Sequence, residues 1–336
     1  MSLVETRQRG ATLHPRRHLA FESRAMGSPL RLSMVLASDT PDILDTATSA
    51  WLAVRNEFEA CELAMSRFVD TSEVSELNRQ AGAGGSIAVS RRLRQALAIS
   101  DRARRLTRGR FDPRVLRDLE RLGDRGATLD VASSPGTSDH GGTPRPAGPL
   151  IELAGEGQVQ LPQPVDLGGI GKGLALRWAA AELVRFGIAS FLLDAGGDLV
   201  ARGEPPEGGP WRVGLEDATG GSEPLAVLDA RSGAVTTSSI RRRHWTVAER
   251  TVHHLIDPAT GEPGGDGLLA VTVAGPDPAW SEIWSKTLFL AGGAAIAGLA
   301  RARGLAAWWV TDDGTLEMTA AARLRTTWVA SEAGGG

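Results

Sequence analysis

The order of hydrophobic and polar residues along the chain predicts strands and helices in irregular alternation. Residues 28–37 alternate between apolar and polar side chains, as expected for a strand with one buried face. Residues 41–64 and 90–108 place apolar side chains three and four positions apart, which is typical of amphipathic helices. Residues 1–20 and 126–149 have neither pattern, and we expect a flexible N-terminus and a flexible surface insertion.

The second half of the chain is predicted to be rich in strands. Strands are expected at 157–161, 190–194, 198–202, 211–216, 225–230 and 268–275, helices from the glycine-rich segment at 168 to about Phe186 and at 279–292, and a hairpin at 305–311 and 315–318 through Asp312-Asp313-Gly314. Because the strands cluster without regular strand–helix–strand alternation, we predict an α+β fold. No repeat of fixed period is present, and we interpret residues 21–330 as a single domain.

Composition and charge narrow the function mainly by exclusion. The chain of 336 residues has a net charge of −3, which gives no reason to expect nucleic acid or an anionic membrane as a partner. Its one cysteine, Cys61, cannot form an internal disulfide, and we expect a buried helix residue. No stretch is long and apolar enough to cross a membrane, and no apolar run follows Arg16-Arg17, so the expected location is cytoplasmic.

Candidate chemistry begins at Val165–Ala175, where a strand end, a glycine turn and a helix start are expected. That geometry points backbone N–H groups and the positive end of the helix dipole at any ligand in the turn, which suits a phosphate or pyrophosphate. A Walker loop would need Gly at Asp166 and Ser or Thr at Gly173, and the dinucleotide fingerprint is not matched either. The chain has only two lysines, Lys172 in this turn and Lys286.

Several short motifs, in order along the chain, resemble one known family. They are Ala25-Met26-Gly27-Ser28, Met65-Ser66-Arg67-Phe68, Ser72-Glu73-Val74-Ser75-Glu76-Leu77-Asn78, Phe111-Asp112-Pro113, the glycine turn, Asp194-Ala195-Gly196-Gly197-Asp198, Trp211-Arg212-Val213-Gly214, Val235-Thr236-Thr237-Ser238 and His254-Leu255-Ile256-Asp257-Pro258-Ala259-Thr260-Gly261. Each motif alone is modest evidence for any one family. Their order and spacing over roughly residues 21–315 resemble the FAD:protein FMN transferases of the ApbE family.

This resemblance implies a duplicated α+β fold with mixed or antiparallel sheets, flanking helices and a cleft for FAD. It also implies that FAD is the substrate and that Mg²⁺ assists cleavage of its pyrophosphate. FMN would pass to a Thr or Ser hydroxyl of an FMN-binding domain in a target flavoprotein, and AMP would be released. Such phosphoryl transfer needs positioning and charge neutralisation more than covalent chemistry. Two other functions stay open: an FAD-binding protein without turnover, and an FAD pyrophosphatase that releases FMN and AMP.

The resemblance also implies roles for individual residues. The positions expected to contact or line the flavin dinucleotide are Met26, Phe68, Arg110, Phe111, Asp112, Gly168, Lys172, Leu174 and Ile256. The expected metal ligands are the carbonyl oxygen of Gly171 and the side chains of Glu282 and Ser285. Asp257 and His254 are candidates for the base that activates the attacking hydroxyl.

One position departs from the family pattern. The family usually carries Asp and, four residues later, Thr as metal ligands, where this chain has Glu282 and Lys286. A charged lysine has no acceptor and cannot bind a metal. Either the Lys286 ammonium partly replaces the charge of the metal beside the pyrophosphate, or Mg²⁺ still binds through Gly171, Glu282 and Ser285 with Lys286 turned aside. A routine i,i+4 salt bridge between Glu282 and Lys286 is the plainer alternative.

Overall fold

The computed structural model describes residues 17–124, 148–155, 157–247 and 249–330. In these ranges the strands are β1 (Arg17–Ala25), β2 (Ser28–Leu36), β3 (Ile87–Ala88), β4 (Glu152–Gly155), β5 (Gln158–Gln160), β6 (Ser190–Ala195), β7 (Asp198–Arg202), β8 (Trp211–Leu215), β9 (Ala226–Ala230), β10 (Ser232–Ser239), β11 (His244–Val247), β12 (Arg250–His253), β13 (Leu268–Gly275), β14 (Ala306–Thr311), β15 (Leu316–Met318) and β16 (Thr326–Val329). The helices are α1 (Pro41–Met65), α2 (Glu73–Arg79), α3 (Arg91–Leu106), α4 (Leu116–Arg121), α5 (Gly171–Arg185), α6 (Pro278–Phe289), α7 (Gly293–Ala302) and α8 (Ala320–Arg323).

An antiparallel sheet of eight strands forms the centre of the molecule, in the order β1-β2-β6-β7-β10-β13-β14-β15. Smaller antiparallel sheets have the orders β16-β9-β8, β3-β5-β4 and β11-β12. Helices pack around these sheets, so the α+β prediction with antiparallel sheets is confirmed. No helix of the described ranges has the length and apolar character needed to cross a bilayer.

The first hairpin of the large sheet turns at Met26-Gly27. Both residues have positive φ angles, 47° and 71°, as a two-residue type I′ turn requires. Glycine adopts this conformation freely, whereas Met26 is held there with some strain. The turn sets the register of β1 against β2 and places the Met26 side chain at the start of α5.

The main hydrophobic core lies between the large sheet and two helices, α1 and α5. Buried α1 residues follow one another at helical spacing, which is why the 41–64 pattern could be recognised; they are Ala47, Ala50, Val54, Phe58 and Cys61. The predicted burial of Cys61 is confirmed.

Helix α6 crosses the beginning of α5 at very short range. A Cβ atom placed on Gly173 would lie 2.6 Å from the Cα of Ala279, so only glycine fits there without moving one of the helices. The Asp277 carboxylate caps α6 by accepting the N–H of Trp280 at 3.0 Å. This crossing brings the middle of α6 beside the glycine turn.

Most of the predicted elements are confirmed to within about two residues, including α1, α3, α5, α6 and the β14–β15 hairpin. One expectation was wrong: residues 17–20, assigned to the flexible N-terminus, form part of β1, because their backbone pairs with β2. Residues 1–16, and the predicted insertion except 148 and 149, lie outside the described residues.

Candidate functional site

The glycine turn is held by backbone and carboxylate contacts. The N–H of Asp166 donates to the carbonyl oxygen of Pro113 at 2.7 Å, and the Asp166 carboxylate accepts the N–H of Gly168 at 2.6 Å. Helix α5 begins at Gly171, whose N–H donates to the carbonyl oxygen of Leu167 at 2.9 Å. The predicted turn and helix start therefore form one compact corner. The predicted strand end at Val165 is wrong, because β5 ends at Gln160 and the residues that follow it are irregular.

The carboxylate of Glu282 occupies part of the site where the glycine turn was expected to bind an anionic ligand. Glu282 on α6 accepts the N–H of Gly173 at 2.7 Å and brings a negative charge to the positive end of α5. Within the described ranges, no acceptor is found for the N–H groups of Gly169 and Lys172. The turn thus offers fewer backbone donors to a ligand than its sequence predicts.

A cleft that is partly open to solvent lies beside this turn. Seven of the residues singled out from the sequence line it together: Arg110, Phe111, Asp112, Gly168, His254, Ile256 and Lys286. Side chains from α3–α4, the glycine turn, the loop after β12 and α6 therefore converge on one surface.

Carboxylates at the cleft are neutralised by the protein itself. Arg114 binds both oxygens of Asp112 at 2.6–3.2 Å, and Arg67 lies 3.3 Å from the Asp166 carboxylate. Burial raises the pKa of Asp166, but the charges of Arg67, Arg243 and Lys286 outweigh burial and hold this pKa below its ordinary value. Both carboxylates are therefore paired with arginines of the protein, and the Asp166 carboxylate stays ionised.

Two cations of the cleft have no such partner. The half-buried Arg110 guanidinium and the half-buried Lys286 ammonium form no ion pair or hydrogen bond with any residue in the described part of the chain. Lys286 lies against the backbone of Gly169: a Cβ atom added to Gly169 would be only 2.5 Å from its Nζ. The i,i+4 salt bridge with Glu282 is therefore not formed. The cleft consequently has an excess of positive charge facing its open space.

The other lysine, Lys172, points away from this surface. Its ammonium pairs with the buried Asp198 carboxylate, which also accepts the N–H of Thr237 at 3.0 Å. Burial lowers the pKa of Lys172, but Asp198 and Glu282 more than offset burial and raise this pKa above its ordinary value. Lys172 thus helps to hold α5 on the sheet, and its side chain is not among those that line the cleft.

The expected magnesium donors do not form a suitable site. The Ser285 hydroxyl is hydrogen-bonded to Ser238 Oγ at 2.9 Å and to the carbonyl oxygen of Glu282 at 3.0 Å, while one Glu282 oxygen is taken by Gly173. Burial and the nearby Asp198 carboxylate raise the pKa of Glu282 to about 7. In the described ranges, no three His, Cys, Asp or Glu side chains are grouped as metal ligands would be. A divalent cation at the Gly171 carbonyl would have Glu282 as its one nearby acid, and this acid can be protonated near pH 7. The unpaired Lys286 ammonium would lie close to the cation. Both features disfavour the binding of a divalent cation.

His254 is the stronger of the two candidates for a base. Its Nδ1 lies 3.2 Å from the carbonyl oxygen of Arg243, so Nδ1 carries the hydrogen and Nε2 is free to accept one. Burial, together with the charges of Arg243 and Lys286, holds the pKa of His254 well below its ordinary value, and the ring is neutral at pH 7. Asp257 is not at the cleft, since its carboxylate accepts the N–H of Ala259 within the 257–261 turn.

Three predicted ligand contacts are not among the residues that line the cleft itself. Met26 is close to the start of α5, with its Cε 3.4 Å from the position of a Cβ on Gly171. The Phe68 ring is 47% exposed and lies between the guanidiniums of Arg67, at 4.1 Å, and Arg243, at 5.5 Å. Leu174, predicted to flank the turn beside the pyrophosphate, has its side chain fully buried in the main core.

Arg243 is a functional residue that the sequence did not reveal. It lines the cleft, lies 5.5 Å from the Phe68 ring and binds the buried Asp124 carboxylate at 2.6 Å. Arg67 binds the same carboxylate at 3.0 Å. These two arginines support an exposed aromatic ring at the rim of the cleft, which is an arrangement suited to stacking of a planar ligand.

The fold and the cleft together define a class: an α+β protein with a cationic cleft beside a glycine turn. A sequence model of the ApbE family matches residues 26–309. The chain belongs to the ApbE family.

Curated relatives point the same way. The chain is 32% identical over 151 residues to the FAD:protein FMN transferase of Klebsiella pneumoniae, covering 45% of this chain and 43% of that protein. It is 29% identical over 269 residues to the FAD:protein FMN transferase of Rhodobacter capsulatus, covering 75% of this chain and 49% of that protein. The chain thus spans about half the length of the curated relatives that it matches.

Solved structures show the same fold. The ApbE protein of Thermotoga maritima superposes with a TM-score of 0.76 at 24% identity, covering 92% of this chain and 99% of that one. The flavin transferase ApbE of Vibrio cholerae gives a TM-score of 0.74 at 21% identity, covering 93% and 100%. At these identities the comparison establishes the architecture, and the chemistry depends on the cleft.

Proposed function

We propose that this protein is an FAD:protein FMN transferase. It takes FAD as substrate, breaks the pyrophosphate, and joins FMN through its phosphate to a Thr or Ser hydroxyl of an FMN-binding domain in a target flavoprotein. The hydroxyl oxygen forms a bond to the FMN phosphorus, the bond from that phosphorus to the AMP oxygen breaks, and AMP leaves. Family membership and the names of the relatives support this proposal.

The observation that carries the proposal is the pair of unpartnered cations beside the glycine turn. The carboxylates of Asp112 and Asp166 are already paired with arginines, so they form no ion pair with these two cations. A bound pyrophosphate would supply the missing negative charge. Arg110 and Lys286 would supply the charge that phosphoryl transfer requires as the bond to the leaving AMP breaks. The apolar side chains of Phe111 and Ile256 and the exposed Phe68 ring suit the flavin.

His254 would receive the proton of the attacking hydroxyl. Its neutral ring lines the same cleft, and Nε2 is the nitrogen with a free lone pair because Nδ1 is bound to the carbonyl of Arg243. Because its pKa is low, His254 is a weak base in the ground state. Its ring is nevertheless unprotonated at pH 7 and can accept a proton. The proton would be lost to solvent after AMP has left.

The family resemblance favours Mg²⁺ at Gly171, Glu282 and Ser285, and this is the competing account of charge neutralisation. Hard divalent cations prefer several carboxylate and carbonyl oxygens. Here Ser285 is already hydrogen-bonded and Glu282 is held by Gly173, so we assign no step to a metal ion.

One incubation separates the proposal from its two alternatives. The protein is mixed with FAD and an isolated FMN-binding domain, and the products are separated on a denaturing gel and by chromatography. Flavin fluorescence that stays on the domain, with release of AMP, is the expected result. Free FMN and AMP without labelling would identify a pyrophosphatase, and intact FAD a binding protein; either result would overturn the proposal.

A further inference from the structure

We propose that the Lys286 ammonium stands in for a divalent cation: it binds the phosphate groups of the ligand directly, and phosphate recognition by this chain needs no metal ion. This inference rests on the proposed function. It concerns the chemical class of the ligand, a pyrophosphate ester, and the source of the positive charge that holds it.

The first step is the position of the ammonium. Lys286 lies on α6 and reaches across to the glycine turn, where its Nζ and Cε pack against Gly169. A Cβ on Gly169 would meet Nζ at 2.5 Å and Cε at 2.9 Å, so the bare backbone of glycine makes room for the lysine. The ammonium is therefore held at the same corner as the N–H groups of Gly169 and Lys172.

The second step is that the Lys286 ammonium has no direct ion-pair partner in the described ranges. The two carboxylates that influence Lys286 most strongly, Asp166 and Glu282, are each engaged elsewhere: Asp166 by Arg67 and Gly168, and Glu282 by Gly173. The remaining charges that act on it, Arg243 and Lys172, are positive. Burial lowers the pKa of Lys286, and the charges of Asp166 and Glu282 offset this only in part, so an anionic ligand in contact with the ammonium would stabilise its charged form.

The third step concerns the competing cation. A divalent ion bound by Glu282 and Ser285 would lie next to an ammonium that extends from the same turn of α6, and like charges at this range repel strongly in a partly buried site. The hydroxyl of Ser285 is already used by Ser238 and by the backbone of α6. The Lys286 ammonium at this corner therefore weakens the binding of a divalent ion there.

The test measures binding separately from transfer. Affinities for FAD, ADP and riboflavin are measured by fluorescence quenching or calorimetry, each in excess EDTA and in excess Mg²⁺. The variants are Lys286→Met, which removes the charge but keeps the length, Lys286→Arg, which keeps the charge, and Arg301→Gln. Arg301 is an exposed residue of α7, and its substitution controls for the loss of one positive charge far from the cleft.

We expect the wild-type protein to bind FAD equally well in EDTA and in Mg²⁺. Lys286→Met should weaken the binding of FAD and ADP by about 10- to 100-fold, which is the value of one charge-assisted hydrogen bond. Its affinity for riboflavin, which has no phosphate, should not change. Lys286→Arg should keep most of the affinity, and Arg301→Gln all of it.

Two results would overturn the inference: a Lys286→Met variant that binds FAD as tightly as the wild type, or a wild-type protein that loses FAD in EDTA and regains it with Mg²⁺. If Lys286→Met does not fold, as judged by circular dichroism, the wild-type comparison in EDTA and Mg²⁺ still decides. Lys286-dependent binding without FMN transfer would refute only the proposed function. FMN transfer that does not depend on Lys286 would refute only this inference.

Discussion

At the scale of single residues, the character of the cleft depends on which cations lack a partner. The run Arg241-Arg242-Arg243 illustrates how little of this the sequence reveals. Arg241 and Arg242 both bind Glu216, at 2.6 and 2.8 Å, whereas Arg243 turns into the cleft and binds Asp124. Identical side chains in a row could not be told apart, because their partners are distant in the chain. Arg110 was identified through the family motif around it rather than through its charge.

Arg110 is the residue whose loss should affect ligand binding with the least effect on stability. Its guanidinium lines the cleft and makes no ion pair with the described residues, so Arg110→Gln breaks no ion pair in that part of the chain. We expect the affinity for FAD to fall by about 10- to 100-fold, with an unchanged melting temperature. Calorimetric titration with FAD measures the affinity, and thermal unfolding measures the melting temperature.

Arg117→Gln is the matched control for this variant. Arg117 is an exposed residue of α4, close to Arg110 in the chain but not on the cleft. Equal losses of affinity in the two variants would show that Arg110 acts through net charge alone and would contradict its assignment as a contact residue.

At the scale of elements, helical periodicity was sufficient to locate the long helices but not to predict how they meet. The apolar spacing of α1 and the glycine turn before α5 located these helices in the sequence, and both pack on the sheet. The contact of α5 with α6 depends on Gly173, which the sequence analysis assigned only to a turn. The two-stranded β11–β12 ribbon was not predicted, because its four-residue strands leave only part of an alternating pattern.

The crossing of α5 and α6 should be sensitive to a single methyl group. In Gly173→Ala the new Cβ would lie 2.6 Å from the Cα of Ala279 and 2.7 Å from the carbonyl oxygen of Pro278, and both are backbone atoms. We expect the free energy of unfolding to fall by about 1–3 kcal/mol, although alanine favours a helix. Chemical denaturation provides the measurement.

A second glycine on a helix provides the comparison. Gly298 lies on α7, and a Cβ there would have no heavy atom within 4 Å, so Gly298→Ala should be neutral or stabilising by up to about 1 kcal/mol. A Gly173→Ala variant as stable as Gly298→Ala would mean that the two helices do not cross as closely as described.

At the scale of the whole molecule, the sheet joins segments that no local pattern connects. Strand β2 pairs with β6, and β10 lies between β7 and β13. Local patterns predicted most of these strands, and the family motifs predicted that Arg110, Gly168 and Ile256 would meet. The burial of Leu174 depends on how the elements pack and could not be derived from a motif.

The stability of the folded protein should decrease in acid partly through His253. Burial, with the charges of His244 and Arg250, lowers the pKa of His253 from 6.5 to about 4. The unfolded chain therefore takes up a proton below pH 6.5 that the folded protein accepts only near pH 4, so stability falls as the pH drops through this window. The loss is at most about 3 kcal/mol.

The contribution of the His253 side chain to stability is the difference in the free energy of unfolding between the wild type and His253→Gln. Denaturation curves from pH 7 to pH 4 should show a steeper loss of unfolding free energy in the wild type, whereas His18→Gln, at an exposed site, should follow the wild type. Parallel curves for wild type and His253→Gln would refute the assignment of a depressed pKa to His253.

The central claim is that the cleft transfers FMN from FAD to a protein hydroxyl. Its most direct test is the mass of an isolated FMN-binding domain after incubation with this protein and FAD, together with the amount of AMP released. The account predicts a domain heavier by one phosphate-linked FMN and one AMP for each domain modified. An unmodified domain, with FAD intact or with free FMN and AMP in solution, would contradict it.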